Sequence, residues 1–162
     1  MSATDADVSD VPETLSRVTR AVSIAWDATG RVIGWYRAAV DVAQDTGAIR
    51  WHERGVTRAP SQTPAPARRT PARNAQVWRT DHDELILEHA RTAVPVCIAR
   101  FPLCQLDQLD PLGDAWTPTT EPHPCDRDLY IAAIRFTPRA VELDWTVRTP
   151  RGDERILARY RF

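Results

Sequence analysis

The chain contains no lysine, so all 21 of its Lys and Arg residues are arginine. Arginine codons are rich in G and C, and together with the many Ala, Asp and Pro residues this bias indicates a bacterium with a high-GC genome. The number of arginines therefore does not by itself predict nucleic-acid binding. The formal net charge of −1 also provides no overall field that would attract nucleic acid or an anionic membrane.

Glycine is scarce, with only six residues in 162, and phosphate-binding loops depend on glycine. The sequence has neither a Walker loop nor a dinucleotide-binding glycine pattern. It also lacks the nucleophile elbow of hydrolases. These absences lead us to expect a protein that is not an enzyme and that needs no cofactor.

Long apolar runs are missing as well. No stretch approaches the roughly 18 apolar residues of a membrane-spanning helix. Residues 1–10 are acidic and polar, without the apolar segment of a secretory signal. We therefore expect a cytoplasmic protein that makes no membrane contact.

The three cysteines are odd in number and irregularly spaced, which does not indicate a disulfide framework. Cys97, Cys104, His123 and Cys125 are residue types that bind zinc. None of them occurs in the paired spacing C-x-x-C or H-E-x-x-H of familiar zinc sites. We expect no metal site, and these four residues are the candidates should one exist.

Alternation of apolar and polar residues is clearest at the end of the chain, over residues 141–162. Two alternating runs flank a connection containing Pro150 and Gly152, a pattern that predicts a β-hairpin with one buried face. Placing Arg148 opposite Arg155 sets Asp144 opposite Arg159 and Glu142 opposite Arg161. Opposed unlike charges contribute about 0.2–1 kcal/mol each. We expect this charged face to be solvated and not to form a binding site.

Seven other segments alternate or form short apolar runs, namely residues 20–26, 31–40, 48–54, 76–79, 84–88, 94–101 and 129–136. They predict an all-β protein of about nine mainly antiparallel strands, in a sandwich or open barrel with one or two short helices. The alternative is an α+β fold, because residues 80–91 also have helical end signals, with Thr80 as the cap and His89 and Arg91 in the last turn.

The turn after the first strand has two possible registers. A bulged turn over residues 27–30 places Val32 opposite Trp26, whereas a tight two-residue turn places Arg31 there. The sequence does not decide between them.

The domain prediction is a mobile acidic tail over residues 1–10, followed by a single β-rich domain over residues 11–162. A long loop rich in Pro and Arg is expected over residues 55–75, which hold almost no large apolar side chain. Residues 54–80 carry six arginines and no acidic residue. An acidic loop is expected over residues 105–128.

Titratable residues cluster over residues 81–89 in the middle of the chain, namely Asp81, His82, Asp83, Glu84, Glu88 and His89. Such groups can act as acids and bases, but a turn and the outward phase of a strand are the usual positions of solvated charges. A deep pocket lined by His82 or His89 together with carboxylates would instead indicate a small enzyme.

Aromatic residues beside arginines can stack on the bases of single-stranded nucleic acid. The candidates for contact with a partner or with nucleic acid are Trp51, Trp78, Arg79 and the loop arginines Arg58, Arg68, Arg69 and Arg73. The loop arginines would follow the phosphates.

The functional expectation is a non-enzymatic binding protein, acting as an accessory or structural subunit with a protein partner. The loops at 55–75 and 105–128 would be its contact surfaces. The first alternative is a nucleic-acid-binding module, and the second is a small enzyme with a His/carboxylate site. The sequence does not define a small-molecule ligand.

Overall fold

The computed structural model describes residues 10–60, 67–91, 93–106 and 115–162. Within these ranges the chain forms two short helices and eleven strands. They are α1 Asp10–Ser16, β1 Arg20–Trp26, β2 Val32–Asp45, β3 Ala48–Arg58, β4 Arg69–Asp81, β5 Glu84–His89, β6 Val96–Pro102, α2 Leu103–Leu106, β7 Thr117–Pro118, β8 His123–Cys125, β9 Asp128–Thr137, β10 Ala140–Thr149 and β11 Gly152–Arg161. None of these helices is long and apolar enough to cross a membrane.

The strands form one antiparallel sheet that curls into a nearly closed barrel. Its order is β6-β5-β4-β3-β2-β1-β11-β10-β9, and the short strands β7 and β8 both pair with β9. The two edges of the sheet meet at a seam, where the Thr119 amide donates to the Ala132 carbonyl (2.8 Å) and the Thr120 amide donates to the Arg100 carbonyl (2.9 Å). The all-β prediction is therefore confirmed, and the architecture is the barrel.

Residues 80–91 do not form a helix, so the α+β alternative is wrong. β5 returns along β4 with Leu87 opposite Trp78, after a turn in which His82 has φ of 52°.

The first hairpin has the bulged register, with Trp26 opposite Val32. The Asp27 carboxylate selects that turn, because its Oδ1 accepts from the amides of Thr29 (3.0 Å) and Arg31 (3.1 Å).

The predicted register of the C-terminal hairpin is wrong by two residues. Thr149 pairs with Gly152 and Glu142 pairs with Arg159, because the connection is a two-residue turn and β11 begins earlier than predicted. A shift of two residues leaves every side chain on its predicted face, but it changes the ion pairs. Asp144 binds Arg155 through two hydrogen bonds of 2.8 and 2.6 Å.

The charged face of this hairpin is not solvated throughout, as had been expected. Glu142 is only 2% exposed although it lies on the outer face of the barrel. Its carboxylate accepts from Nε of Arg135 (2.9 Å) and from Nε of Arg159 (2.5 Å). Two guanidinium groups therefore cover a carboxylate that the alternation placed in water.

The predicted loop over residues 55–75 is too long, because both of its ends are strand. Gly55 pairs with Ala72 and Val56 pairs with Pro71. Pro71 is tolerated there because β5 begins to pair with β4 only at Gln76, so the missing amide faces no neighbouring strand. The centre of the predicted loop, residues 61–66, lies outside the described residues, as do residues 1–9 of the predicted tail and 107–114 of the predicted acidic loop.

One end of the barrel is filled by the core. Leu15 of α1, Leu103 of α2, Trp51, Trp78 and Phe101 are each at most 6% exposed and belong to one cluster. The Trp51 indole donates to the Leu15 carbonyl (2.9 Å), which ties α1 to the barrel. This region, covered by the two helices, is called the closed end below.

A polar cavity as the candidate functional site

A cavity of about 590 Å³ occupies the inside of the barrel beyond the closed end. Its walls include Ala21, Ser23, Trp145, Ile156 and Ala158. Its lining also includes the exposed residues Arg91 and Cys125, so the cavity reaches the surface. The end of the barrel where these two residues lie is called the mouth below.

The polar base of the cavity follows from strand alternation. In β3, Ile49 and Trp51 face the core, and Glu53 comes next in the same phase. In β4, Gln76 has the phase of buried Trp78, and Trp51 and Gln76 lie opposite one another. The period of two therefore places a carboxyl and an amide inside the barrel, immediately above the two tryptophans.

Glu53 is the centre of a hydrogen-bonded cluster at this base. The amide of Asn74 (3.1 Å) and the amide of Gln76 (3.0 Å) both donate to its Oε1. Gln76 Nε2 also donates to the hydroxyl of Tyr160 (2.9 Å). The ring of Tyr160 lies on Trp51, with 4.6 Å between ring centroids. The cluster thus joins β3, β4 and β11 across the interior.

Burial raises the pKa of Glu53, because a carboxylate with 1% exposure loses its hydration. The neighbouring polar side chains of Tyr36, Asn74 and Tyr160 oppose this shift. The pKa values of Tyr36 and Tyr160 are also raised, first by burial and then by the negative charge of Glu53. Both tyrosines therefore keep their hydroxyl protons at neutral pH and are not phenolates.

Several polar atoms of the cluster lack a regular hydrogen-bond partner among the described residues. They are the Tyr36 hydroxyl, Glu53 Oε2 and Gln76 Oε1. A buried polar atom without a partner costs about 1–3 kcal/mol. Proteins keep such groups where water, a proton or a ligand satisfies them.

His89 connects the cluster to the cavity. Its Nε2 lies 2.8 Å from Asn74 Oδ1. Because the Asn74 amide nitrogen is already donating to Glu53, Oδ1 is the acceptor and His89 Nε2 carries the proton. Burial, followed by the positive charge of Arg91, lowers the pKa of His89. The ring is therefore mainly neutral at pH 7, with an unprotonated Nδ1.

Residues 15–162 match a family model described as a family of unknown function, DUF6314. The chain belongs to this family. The comparisons with curated proteins and with solved structures gave no match.

The two tryptophans proposed to stack on bases are in the core of this DUF6314 barrel. Trp51 is 0% and Trp78 1% exposed, so their predicted role as a surface stacking platform is wrong. Arg79 does not extend to a partner either, because its Nε donates to Glu88 (3.1 Å). The arginines lie on the outer face of the barrel, whereas the two tryptophans lie in the inward phase of their strands.

The remaining predicted contact residues, Arg58, Arg68, Arg69 and Arg73, are exposed. They form no ion pair with any other described residue. Arg58 pairs with Arg69 across β3 and β4 and with Trp35 across β2 and β3. Trp35 is 39% exposed. The outer face of the barrel therefore carries an aromatic–arginine patch, built on Trp35, Arg58 and Arg69.

The four candidate metal ligands are not brought together. Cys104 lies on α2 at the closed end, whereas His123 and Cys125 line the cavity near its mouth. Cys97 lies on β6, half-buried and without a disulfide partner. No group of three or more His, Cys, Asp or Glu residues is arranged to hold a metal in the described ranges.

The predicted acid–base cluster is divided between the two ends of β5. The His82 side chain is 94% exposed and binds Asp81 at 2.7 Å. Glu84 forms an ion pair with Arg100 (2.9 Å) and Glu88 forms one with Arg79, while Asp83 is exposed in the turn. His89 is the member of this cluster that lines the cavity.

Sequence reasoning missed the other polar members of the site, which are Tyr36, Glu53, Asn74, Gln76 and Tyr160. For Asn74 the error came from placing it in a loop. The sequence did indicate the inward direction of Glu53, because Glu53 continues the alternation of the inward-facing residues Ile49 and Trp51. A carboxyl in the inward phase of a strand predicts either a buried polar site or a break in the pattern.

Proposed function

We propose that the protein binds one small, mainly apolar molecule inside the barrel. The observation that carries this proposal is a cavity of about 590 Å³ with apolar walls and a buried polar cluster at its base. Ligand pockets usually measure about 300–1,000 Å³ and combine apolar walls with a few polar groups. Antiparallel barrels of modest strand number can hold one such ligand.

The empty volume is a consequence of the residues chosen for one wall. Ala21, Ser23 and Ala158 face inward on the neighbouring strands β1 and β11, and Ser23 lies opposite Ala158. At the closed end the inward positions hold large side chains such as Trp51 and Phe101. Small residues beside the cavity and large ones beneath it are the arrangement that a ligand chamber requires.

Displacement of a fluorescent probe tests the proposal. N-phenyl-1-naphthylamine is a neutral apolar dye that becomes fluorescent in apolar surroundings. Ala72 lines the cavity, so Ala72→Phe should weaken dye binding at least tenfold by filling the space. Ala39 lies exposed on the outer face, and the matched control Ala39→Phe should bind like the wild type.

Two outcomes would contradict cavity binding. One is a wild-type protein that gives no saturable signal with the dye. The other is equal binding by Ala72→Phe and Ala39→Phe, with both variants showing the wild-type circular dichroism spectrum, because the dye would then be bound elsewhere.

The second candidate function is the enzyme considered at the sequence level. The condition set there was a pocket lined by His89 together with a carboxylate, and His89 and Glu53 both line this cavity. Raised carboxyl pKa values and neutral histidines are features of acid–base sites. The support for this candidate is the hydrogen-bonded chain from Glu53 through Asn74 to His89.

We also propose, as a third candidate, that the protein acts as a cytoplasmic accessory subunit or as a nucleic-acid-binding module. Its support is the aromatic–arginine patch of Trp35, Arg58 and Arg69 on the outer face. Fluorescence anisotropy with a labelled single-stranded oligonucleotide at low salt tests the nucleic-acid version. Binding that Arg58→Ala does not weaken, or no binding at all, would exclude the patch as a nucleic-acid site.

A further inference from the structure

We infer that the cavity ligand carries a weakly acidic hydroxyl, as in a phenol or an enol, which donates to His89 Nδ1 while its oxygen faces Arg91. This inference rests on the proposed function, because it names the chemical class of the molecule that the barrel binds. It concerns the end of the cavity near the mouth, where His89 and Arg91 both line the wall.

The first step is the direction of the hydrogen bonds around His89. Glu53 Oε1 accepts from the Asn74 amide nitrogen (3.1 Å) and also from the Gln76 amide (3.0 Å), so a proton on this carboxyl would lie on Oε2. The contact with Glu53 fixes the orientation of the Asn74 amide, so that its oxygen faces His89 Nε2 (2.8 Å). Nε2 must then be the protonated nitrogen, and Nδ1 carries a lone pair. Asn74 is therefore a positioning residue, which sets the tautomer of His89.

The second step is that this lone pair is unused. None of the described residues donates a hydrogen bond to His89 Nδ1. The ring lies half-buried at the cavity wall. An acceptor in such a place is complemented by a ligand donor, and losing that donor is penalised more than an apolar mismatch.

The third step is the charge of Arg91. After burial, its positive charge is the second cause of the lowered pKa of His89, and it partly opposes the rise in the pKa values of Tyr36 and Tyr130. All three side chains line the cavity. A positive field at this position opposes a protonated imidazole and favours a partial negative charge on a neighbouring oxygen. A weakly acidic O–H group meets both conditions, because it donates a proton to a lone pair and its oxygen gains negative charge.

The same reasoning separates a hydroxyl from a carboxylate. A carboxylate at pH 7 has no proton to donate, and its oxygen would face the lone pair of Nδ1. It would also lie above a cluster in which Glu53 is an acceptor. An ether of the same size likewise has no donor. The site should therefore rank a phenol above both its methyl ether and the corresponding carboxylate.

Three naphthalenes that differ only in the substituent test this ranking. 2-Naphthol, 2-methoxynaphthalene and 2-naphthoate would each be titrated against the protein with bound N-phenyl-1-naphthylamine at pH 7. One well-placed hydrogen bond is worth about a tenfold change in affinity. We expect 2-naphthol to displace the dye at roughly tenfold lower concentration than either of the other two compounds.

Variants assign the preference to particular residues. His89→Leu should bring 2-naphthol to the level of 2-methoxynaphthalene and leave the latter unchanged, while the exposed control His82→Leu should keep the wild-type preference. Asn74→Leu should reduce the preference because the tautomer is no longer fixed. The ¹⁵N chemical shifts of the His89 ring provide a readout that general destabilisation does not mimic, and should show Nε2 protonated in the wild type.

The outcomes separate the two proposals. Equal displacement by 2-naphthol and 2-methoxynaphthalene overturns the hydroxyl inference while leaving cavity binding intact. Preference for 2-naphthoate overturns it too, because Arg91 alone would then select the ligand. Should the dye and all three naphthalenes fail to bind, the proposed function itself falls. If His89→Leu does not fold, the wild-type ranking and the ¹⁵N shifts still decide.

Discussion

At the scale of single residues, Glu53 stands out as a carboxyl buried inside the barrel with a raised pKa. Its carboxyl is 1% exposed, and its raised pKa means that ionisation is harder in the folded protein than in the unfolded chain. The folded protein binds the proton of this carboxyl more tightly than the unfolded chain does. The resulting contribution to stability is fully present below the unfolded pKa of about 4.3. That contribution is lost as the pH rises through the higher folded pKa.

Glu53→Gln should remove this pH dependence. Glutamine keeps the shape and an acceptor oxygen for the amides of Asn74 and Gln76, but it cannot ionise. We expect the variant to gain stability relative to the wild type as the pH rises from 4 to 8. Urea denaturation across that range measures the difference, with exposed Glu13→Gln as a control that should follow the wild type. Parallel curves for Glu53→Gln and the wild type would contradict the assignment.

The residue scale also shows the limits of prediction from sequence. The alternation over residues 48–54 gives the inward direction of Trp51, and it would also have given the direction of Glu53. The convergence of Glu53, Gln76 and Tyr160 could not be predicted, because it depends on strand order and on closure of the barrel. Alternation reports which face a residue occupies, but not which residue from another strand it meets.

At the scale of secondary-structure elements, the close approach of β2 and β3 depends on one glycine. A Cβ atom placed on Gly55 would lie 2.0 Å from the Arg37 carbonyl oxygen and 2.6 Å from the Ala38 Cα. Real Cβ atoms do not approach backbone atoms so closely, so a side chain here would force the strands apart. Glycine within a strand often marks such a close backbone approach.

Gly55→Ala is therefore expected to destabilise the protein by about 1–3 kcal/mol, the usual range for overpacking. Gly34 on β2 is the matched control, since a Cβ there would be 3.9 Å from its nearest contact, the Arg58 carbonyl. Gly34→Ala should change the free energy of unfolding by no more than about 1 kcal/mol. Similar losses for the two variants in urea denaturation would contradict the steric explanation.

The elements themselves were largely predictable, and the errors have physical causes. Residues 84–88 were predicted to form a strand, which is confirmed, and this strand pairs with Val77 and Trp78 of β4. Residues 55–58 and 69–75 were assigned to a loop because they hold few large apolar side chains. Backbone hydrogen bonds do not require such side chains, so composition underestimated the length of the β3–β4 hairpin.

At the scale of the whole molecule, the seam is the least extensive junction between neighbouring strands. β6 and β9 are joined through residues 117–120, with the Thr119 and Thr120 amides bonded to opposite edges. The long strands of the sheet share more extensive ladders, such as the seven residue pairs between β1 and β11. Local opening requires the least free energy where the fewest bonds must break.

Amide hydrogen exchange should therefore be faster at Thr119 and Thr120 than at Val22 and Ile24, which lie in the centre of the sheet. NMR measures the exchange rates of these individual amides. A neutral cavity ligand that contacts both edges of the sheet should slow amide exchange at the seam. Protection at the seam equal to that of β1 would show that the barrel opens only as a unit.

The order of the strands also has a consequence for the way in which the chain folds. Strands β1 to β6 and strands β9 to β11 are two successive runs of hairpins, each of which is made from neighbouring segments of the chain. The long pairing of β1 with β11 joins residue 20 to residue 161, and it must wait for the largest loop closure in the molecule. We expect docking of these two strands to limit the refolding rate, so that Ser23→Gly slows refolding more than Thr146→Gly does in stopped-flow experiments.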